Sequence, residues 1–392
     1  MAPAGGRGSK EIPGGGARVK SAIVVTTIFE PAFLSGYLEN LDSHGRRDDV
    51  AIVVIPDRKT PATVFEACAL AVDSGFGVRC PTLVEQEMFL KRFPGLAGRI
   101  PYDSDNRRNI GFLMALDDGA ETLVSIDDDN YCIPESDFAG DHSFVGREAS
   151  FESVESDDGW FNLCSLLETS VMDDIYPRGF PYFARRRLRK VTSGAVERRK
   201  VALNVGLWLT DPDVDAVTRL ALSPHVFGAT AGSRFLGHST WSPINTQNTA
   251  LTREAASAYY YVRMGFPVGG MKIDRYGDIL SGYFLQKCVK VRGEGILVGA
   301  PVADHRRTPH NLFKDLSQEV AGMVILEDLL PWLQAVEIGA GPYGEMYLAL
   351  AEQLEEQSHR FSGFLWNEGA GEFLRETAAN MKAWVEAVAT IG

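Results

Sequence analysis

Residues 121–129 read ETLVSIDDD, a short apolar run that ends in three consecutive aspartates. Aliphatic and β-branched residues dominate the run, which is typical of a buried strand. Ligands of open α/β sheets bind beyond the carboxyl ends of the strands, and Asp127, Asp128 and Asp129 follow such an end directly. The stretch therefore predicts a strand with an acidic site at its end.

The segments around this strand alternate between two patterns. Apolar runs at 21–27, at 51–55 and near Val78 predict strands, and 3.6-residue spacing predicts helices over 31–44, 62–73 and 106–116. Such alternation indicates a parallel sheet covered by crossover helices. Further strand-like runs at 201–209 and 295–302 precede a strongly helical region. The predicted fold class is α/β: a Rossmann-like mixed sheet flanked by helices, with a helical C-terminal extension.

Two parts of the chain do not follow this alternation. Residues 1–18 are rich in Gly, Pro, Ala and Ser, which predicts a disordered tail. The segment 137–200 contains an acidic stretch at 152–158 and a basic one at 185–190, both expected to be solvated loops or helix faces. The predicted organisation is a catalytic domain over 19–325 and a helical region over 326–392.

Composition excludes several classes of protein. A formal charge of −13 argues against binding nucleic acid through bulk electrostatics. The five cysteines form no CxxC pair, so reduced and mostly buried thiols are expected. No apolar run reaches the roughly 18 residues that span a bilayer, and the N-terminus lacks the apolar core of a signal peptide. These features predict a cytoplasmic protein with no membrane partner.

The aspartate triplet predicts a metal site. Three adjacent carboxylates repel one another and need a compensating cation, and a hard divalent ion with oxygen ligands, Mg²⁺ or Mn²⁺ shared with a diphosphate, meets that need. Asp127 and Asp129 are the predicted ligands, with Asp128 assisting. The alternative is an exposed acidic turn that caps a helix N-terminus.

A second group of polar residues lies downstream. Asp278 heads a helical stretch, where it either serves the site or merely caps the helix. His305 follows the strand-like run at 295–302 and either supplies an imidazole ligand to the same metal or is a structural histidine.

The chain resembles the reversibly glycosylated polypeptides, a family that acts as UDP-arabinopyranose mutases. The resemblance keeps its order from about residue 21 to the C-terminus. The motifs that carry it are DS at 103–104, NIGF at 109–112, SIDDD at 125–129, PRGFP at 177–181, GLWL at 206–209, PDVDA at 212–216, RYGD at 275–278, EDLLP at 327–331 and MKAWVEA at 381–387.

This resemblance implies a GT-A-like fold in which the triplet holds the nucleotide ribose and the metal, with His305 completing the metal site. The family arginine linked to self-glycosylation corresponds to Arg178. A guanidinium stays protonated and is a poor nucleophile, so we expect Arg178 to clamp the diphosphate instead; the alternative is a surface arginine in a loop. Related bacterial proteins of nucleoside-antibiotic pathways interconvert the ring forms of GDP-sugars such as GDP-fucose.

The remaining site residues follow from the same comparison. We expect Asp57, after the second strand, to read the nucleobase, and Arg107, Asn109 and Asp127 to bind the nucleotide. Asp278 would orient sugar hydroxyls or act as a base, with Asp128 as a further catalytic residue. The chain departs from the family at Gly277, where a second carboxylate is usual, and at 56–59, where the plant proteins carry an Asp-Gly-Asp loop.

The function predicted from the sequence is a metal-dependent pyranose–furanose mutase acting on a GDP- or UDP-sugar. Two alternatives stay open: a glycosyltransferase that moves the sugar to a separate acceptor, because one fold serves both reactions, and a non-catalytic nucleotide-sugar-binding subunit. The expected partner is the nucleotide sugar, and a homo-oligomer is compatible with the sequence.

Overall fold

The computed structural model describes residues 20–187 and 189–392, so the tail predicted at 1–18 lies outside the described residues. The strands of this part are β1 (Ser21–Thr27), β2 (Val50–Pro56), β3 (Val78–Arg79), β4 (Thr122–Ile126), β5 (Asn130–Cys132), β6 (Glu148–Ser156), β7 (Leu167–Thr169), β8 (Val191–Thr210), β9 (Val226–Ala229), β10 (Arg234–Leu236), β11 (Asn248–Thr252), β12 (Phe266–Val268), β13 (Met271–Ile273) and β14 (Gly295–His305).

Helices connect and cover these strands. The α-helices are α1 (Ala32–Ser43), α2 (Ala62–Asp73), α3 (Leu83–Leu90), α4 (Pro94–Ala97), α5 (Arg108–Asp117), α6 (Phe138–His142), α7 (Ala216–Leu222), α8 (Arg253–Ala256), α9 (Gly277–Arg292), α10 (Leu312–Ala335), α11 (Tyr343–Gln357) and α12 (Gly371–Ile391). Short 3₁₀ turns occur at Asp105–Arg107, Leu163–Leu166 and Tyr182–Ala184, and a π-helical turn at Trp366–Ala370. None of the helices in the described ranges is long and apolar enough to cross a membrane.

The first half of the chain forms a Rossmann-like parallel unit. Its strands lie in the order β3-β2-β1-β4, and each neighbouring pair is parallel. The chain runs outward from β1 to β3 and then returns to β4 on the other side of β1. The carboxyl ends of β1 and β4 therefore border the crevice in which open α/β sheets bind ligands.

The second half extends the sheet with antiparallel strands. β11 pairs with both β4 and β8, and β14 runs parallel to β8. β5, which follows the triplet, pairs with the end of β14, so that Asn130 lies opposite His305. The predicted α/β class, the mixed sheet flanked by helices and the helical C-terminal region are confirmed.

The sheet buries both of its faces. Side chains of β1 alternate between them: Val24 belongs to the core beneath α5 and the C-terminal helices, whereas Ile23 and Val25 belong to the core beneath α1 and α2. A strand buried on both faces is apolar at successive positions, as residues 22–25 and 51–55 are.

The C-terminal helices belong to the same core as the sheet. α10 begins at Leu312 and runs across the position 325/326 at which the sequence placed a boundary. α12 packs against α4 and α5, and the Trp384 indole Nε1 donates to the Ala256 carbonyl at 2.9 Å. These helices therefore brace α5, which enters the site described below.

The charged stretches of the segment 137–200 differ from their prediction. Most of the acidic stretch lies on β6, which pairs with the exposed first half of β8 and sets Glu148 opposite Lys200. The basic stretch is partly buried, since Arg185 pairs with Asp215 and Arg189 with Asp158. Polar and charged residues occupy most positions of β6 and of the first half of β8, so hydrophobic periodicity gave no signal of a strand.

Gly206 on β8 provides a test of this packing. A Cβ at this position would overlap the side-chain amide of Asn248 and the Pro301 carbonyl, which hydrogen-bond to each other at 2.9 Å. We expect Gly206→Ala to lower the free energy of unfolding by roughly 2–4 kcal/mol, because overpacking forces backbone shifts. Urea unfolding measures the change. Gly36→Ala on α1, where an added Cβ meets nothing within 4 Å, is the control and should not destabilise; equal losses in both variants would contradict this account.

Candidate active site

Two cavities meet at the crevice between β1 and β4. The first has a volume of about 330 Å³ and reaches Asp57 at the end of β2. The second has a volume of about 200 Å³ and reaches Asp278 at the start of α9. Residues that line both cavities are Asp105, Asp127, Asp129, Tyr261 and His310. The parallel half of the sheet and the antiparallel half thus both contribute to one continuous site.

Arg108 neutralises part of the triplet. This buried side chain donates to Asp127 at 2.6 Å and to the Ser125 hydroxyl at 2.7 Å. Burial would lower the pKa of Arg108, but the Asp127 carboxylate beside it raises that pKa further, so the guanidinium stays charged. One of the three carboxylates therefore has a fixed internal partner.

Asp129 and His305 face each other across the β5–β14 pair. His305 Nε2 lies 3.4 Å from Asp129 Oδ2, and His305 Nδ1 lies 2.5 Å from the Asp211 carbonyl. A carbonyl at Nδ1 accepts the hydrogen there and leaves Nε2 facing Asp129, as in many metal-binding histidines. Burial lowers the pKa of His305, but Asp129 raises it more, so that the imidazole is drawn to this carboxylate. Asp129 Oδ1 is buried without a hydrogen-bond partner in the described structure.

This donor set fits a divalent cation that is shared with a substrate. Magnesium-type sites commonly use one or two protein ligands and take the rest from phosphate oxygens and water. Asp129 and His305 meet that description, whereas Asp127 is bound to Arg108. Within residues 20–187 and 189–392 no three His, Cys, Asp or Glu side chains are close enough to hold a metal by themselves. The three-ligand set Asp127, Asp129 and His305 is therefore not assembled here.

The helix-capping alternative for the triplet is wrong. Asp128 and Asp129 precede a β-strand, β5, rather than a helix. Burial and, to a smaller extent, the two adjacent carboxylates raise the pKa of Asp128 to about 6, against the opposing effect of the Thr27 hydroxyl. Such crowding of partly buried negative charge is typical of a cation-binding site.

Arg178 joins two buried carboxylates in the second cavity. Its Nε and Nη2 donate to Asp213 at 2.9 and 3.1 Å, and its Nη2 and Nη1 donate to Asp278 at 2.6 and 3.1 Å. Nη1 also donates to the Arg275 carbonyl. Every guanidinium nitrogen is thus bound to a protein oxygen, which does not agree with a diphosphate clamp. The surface-loop alternative is wrong, since Arg178 is buried.

Asp278 has a role other than capping its helix. Tyr276 is the N-cap of α9, and no side chain caps that helix by hydrogen bonding. The carboxylate of Asp278 instead accepts from Arg178 and lines the second cavity. The N-cap alternative is therefore wrong.

Asp57 and Arg107 lie at the opposite end of the site. Asp57 Oδ1 accepts from the Arg58 amide at 2.7 Å, and Oδ2 accepts from the Ser104 amide at 3.3 Å. Arg107 Nε lies 3.9 Å from Asp57 Oδ1, and its guanidinium lies 4.2 Å from the centre of the Tyr102 ring. Burial lowers the pKa of Arg107, and Asp57 opposes that effect. Both side chains line the first cavity.

Asn109 does not line either cavity. Its Nδ2 donates to the carbonyls of Asn106 and Tyr261, and its Oδ1 accepts from the Tyr261 amide. These bonds use the amide to hold the segment of Tyr261 against α5. The predicted nucleotide contact therefore has no geometric basis, and Asn109 acts on the site by positioning Tyr261.

The sequence did not single out several residues that line the site. Asp105, Arg108, Asp213, Gln247 and Tyr261 are among them. Asp213 belongs to a motif used for the resemblance, and Arg108 is adjacent to a predicted site residue, so a signal existed for both. No local sequence pattern distinguished Gln247 from an ordinary loop residue.

Two residues of the site adopt left-handed backbone conformations. Asp103 has φ 53° and Arg275 has φ 57°. Asp103 lines the first cavity and Arg275 the second. Such conformations cost roughly 1–2 kcal/mol in a residue other than glycine and cluster at functional sites.

Asp128 allows a test of charge crowding. We expect Asp128→Asn to stabilise the metal-free protein by about 1–2 kcal/mol at pH 7.5. The native carboxyl keeps its proton up to about pH 6, whereas an unfolded one loses it near ~3.9. Stability linked to this proton is complete below the lower pKa and is lost as pH rises through the higher one. Urea unfolding with chelator should therefore show a smaller gain at pH 5. An equal gain at both pH values, or the same gain in the exposed control Asp48→Asn, would contradict the assignment.

Comparison with solved structures finds only weak structural similarity. Glucosyl-3-phosphoglycerate synthase from Mycobacterium tuberculosis, in complex with Mn²⁺, UDP-glucose and phosphoglyceric acid, is 14% identical with a TM-score of 0.38 and covers 79% of each chain. A mycobacterial protein of unspecified function gives 13% identity and the same TM-score over 80% of this chain and 78% of that one. Scores this low support no statement about the chemistry of this chain.

Comparison of sequences is more informative. A probable UDP-arabinopyranose mutase 1 of Pisum sativum is 27% identical over 60% of this chain and 61% of its own length. UDP-arabinopyranose mutase 1 of Oryza sativa subsp. japonica is 27% identical over 54% and 53%, and probable mutase 4 of Arabidopsis thaliana is 24% identical over 80% and 81%. The chain thus spans between half and two thirds of the length of the pea and rice relatives. The family model described as reversibly glycosylated polypeptide matches residues 48–392, and the chain belongs to that family.

Proposed function

We propose that this protein is a metal-dependent NDP-sugar pyranose–furanose mutase. The observation that carries the proposal is the pair of cavities that meet at Asp127 and Asp129, with Asp57 at one end and Asp278 at the other. A nucleotide sugar has the same layout: a base, a central diphosphate and a sugar. The names of the pea, rice and Arabidopsis relatives support the reaction type.

The charge of the first cavity supports a cation at the centre. Carboxylates outnumber basic side chains on its wall; the carboxylates are Asp57, Asp103, Asp105, Asp127, Asp128 and Asp129, and the basic side chains include Lys59, Arg107 and Arg108. An anionic diphosphate would add to this negative charge, and buried charge without a partner is strongly unfavourable. Asp129 and His305 would hold the divalent cation, which supplies the charge that stabilises a departing diphosphate.

The isomerisation changes ring size without changing the formula of the substrate. The C1–O bond to the diphosphate breaks and later re-forms, while C1 exchanges its bond to O5 for a bond to O4. One proton moves from O4 to O5 in the pyranose-to-furanose direction. A carboxylate beside the sugar is suited to that transfer, and Asp278, which lines the second cavity, would serve as that carboxylate.

Arg178 would act on the reaction through Asp278 and Asp213. Four of its N–H groups donate to the two carboxylates, and the fifth donates to the Arg275 carbonyl. Burial raises the pKa of Asp213, but Arg178 lowers it more, so that Asp213 stays ionised. This arrangement fixes the direction of the Asp278 carboxylate toward the sugar, which replaces the clamp role predicted from the sequence.

The test is incubation of the full chain with UDP-arabinopyranose or GDP-fucose and Mn²⁺, without an acceptor. We expect NMR to detect the furanose form still attached to the nucleotide. Chelation with EDTA and dialysis should lower the rate at least ~10²-fold, with recovery on adding Mn²⁺. Asp129→Ala should show the same loss without recovery.

Three outcomes would contradict the proposal. Product that forms only with an added acceptor would indicate a glycosyltransferase. Binding without conversion would indicate a nucleotide-sugar-binding subunit. Full activity after chelation would exclude the metal. Asp173→Ala, at an exposed carboxylate outside both cavities, controls for the substitution and should match the wild-type rate.

Asp57 provides a separate test of which end binds the base. A carboxylate accepts from the N1–H and N2–H₂ edge of guanine or from N3–H of uracil, whereas an amide also donates. We expect Asp57→Asn to change the ratio of GDP to UDP affinities by roughly tenfold, the effect of one or two hydrogen bonds. Calorimetric titration with each nucleotide measures the ratio. An unchanged ratio in a variant with unaltered thermal stability would place the base elsewhere.

A further inference from the structure

Gln247 carries an unused hydrogen-bonding group in the second cavity. The residue is 7% exposed and precedes β11 directly. Its side-chain Oε1 is buried and has no hydrogen-bond partner in the described part of the chain. Buried polar groups of native proteins are normally paired, so an unpaired one at a cavity wall indicates a ligand or a water that a ligand replaces.

The neighbours of Gln247 are held firmly in place. Asn245 Nδ2 donates to Asp213 Oδ2 at 2.7 Å, and the Thr246 carbonyl accepts from Arg108 at 3.3 Å. On the other side, Asn248 Nδ2 donates to the Pro301 carbonyl at 2.9 Å. The segment 245–248 is therefore tied to both charged groups of the site, and the side chain of Gln247 is positioned before any ligand arrives.

The position of Gln247 indicates which part of a substrate it meets. Gln247 lines the second cavity together with Arg178, Asp213, Asp278 and His305, and it does not line the first cavity, where Asp57 lies. The same wall carries four arginines, and each already pairs with a protein carboxylate: Arg178, Arg219, Arg275 and Arg307. Because these guanidinium groups have partners, hydroxyl groups, which both donate and accept, suit the cavity better than a phosphate, which needs cationic donors.

We propose that the Gln247 carboxamide binds a hydroxyl of the sugar ring and thereby sets which sugars the second cavity accepts. This inference rests on the proposed function for the identity of the ligand. Gln247 acts as a specificity-determining residue: it holds a hydroxyl that does not react, so that O4 and O5 lie beside Asp278. Sites that hydrogen-bond a substrate hydroxyl discriminate strongly against analogues that lack it.

The deciding experiment compares ligands with and without the sugar. Calorimetric titrations of the wild type and Gln247→Met use UDP against UDP-arabinopyranose, and GDP against GDP-fucose. We expect the variant to bind the nucleotide sugar roughly 3- to 10-fold more weakly, the effect of one neutral hydrogen bond, with unchanged affinity for the free nucleoside diphosphate. Gln247→Glu keeps an acceptor and should retain part of the affinity for the sugar.

Monodeoxy nucleotide sugars identify the hydroxyl. The analogue that lacks the bound hydroxyl should bind more weakly than the parent to the wild type, but equally well to Gln247→Met, because the interaction is already absent in the variant. Additive losses for every analogue would overturn the proposal.

Thermal unfolding separates this role from a structural one. An acceptor with no protein partner has no hydrogen bond to lose, so Gln247→Met should unfold no earlier than the wild type. A large loss of stability, or equal loss of affinity for diphosphate and nucleotide sugar, would overturn the inference. Gln353→Met, an exposed substitution of the same chemistry on α11, should leave all affinities unchanged.

Failure of the inference and failure of the proposed function give different results. A wild type that binds nucleotide sugars through Gln247 but never changes their ring form would refute the mutase and support the Gln247 contact. A wild type that interconverts ring forms while Gln247→Met keeps full sugar affinity would refute the contact and support the mutase. Absence of binding to any of the four ligands would overturn both.

Discussion

The ion pair between the buried Arg108 guanidinium and the partly exposed Asp127 carboxylate is the interaction on which the site depends. It places a positive charge at the end of β4, directly beside three consecutive carboxylates. Arg108 also contacts the Thr26 hydroxyl at the end of β1 and the Thr246 carbonyl. One side chain thus connects the two strands at the switch point with the segment that leads into β11. Because a buried charge without its partner is far more costly than the pair is favourable, this contact constrains the whole crevice.

The site distributes its remaining negative charge between two kinds of partner. Asp213 and Asp278 share Arg178, an internal cation that stays with the protein. Within residues 20–187 and 189–392 neither Asp128 nor Asp129 forms an ion pair with an arginine, and Asp129 faces the imidazole of His305 at 3.4 Å. Carboxylates that share a guanidinium are fixed in place and suited to orienting a sugar. Carboxylates that lack one are suited to a cation that arrives with the substrate.

Much of the fold could be predicted from the sequence because its parallel half obeys simple periodicities. β1 and α2 have the predicted bounds, β2 extends one residue further at each end, and β4 begins one residue later than predicted. The antiparallel pair of β6 and the first half of β8 was missed because these segments are mostly polar and carry no regular apolar alternation. The start of α10 was not recognised because the buried residues of its first two turns are carboxylates, Asp315 and Glu319, rather than apolar side chains.

The candidate site was predictable only where chemistry is local in sequence. A triplet of aspartates after an apolar run is visible in the sequence, and so is the strand-like run that precedes His305. The partners of these residues are distant in the chain: Arg178 meets Asp278 across 100 positions and Asp213 across 35. No local pattern predicts such pairs, so Arg178 was assigned to a ligand when its hydrogen bonds were already used within the protein. The nucleotide-binding role predicted for Asn109 has the same origin, because its partner Tyr261 is 152 positions away and could not be predicted.

The C-terminal helices explain why a site at the sheet edge needs the rest of the chain. α12 packs on α5, whose first turn carries Arg108 and Asn109. Asn109 in turn holds the backbone of Tyr261, and the Tyr261 hydroxyl donates to Asp105 at 2.8 Å between the two cavities. Burial raises the pKa of Asp105, and this hydrogen bond from Tyr261 opposes the rise. Packing at the far face of α5 thus determines the positions of the charged groups at its first turn. The helical region supports the site in this way although it lines neither cavity.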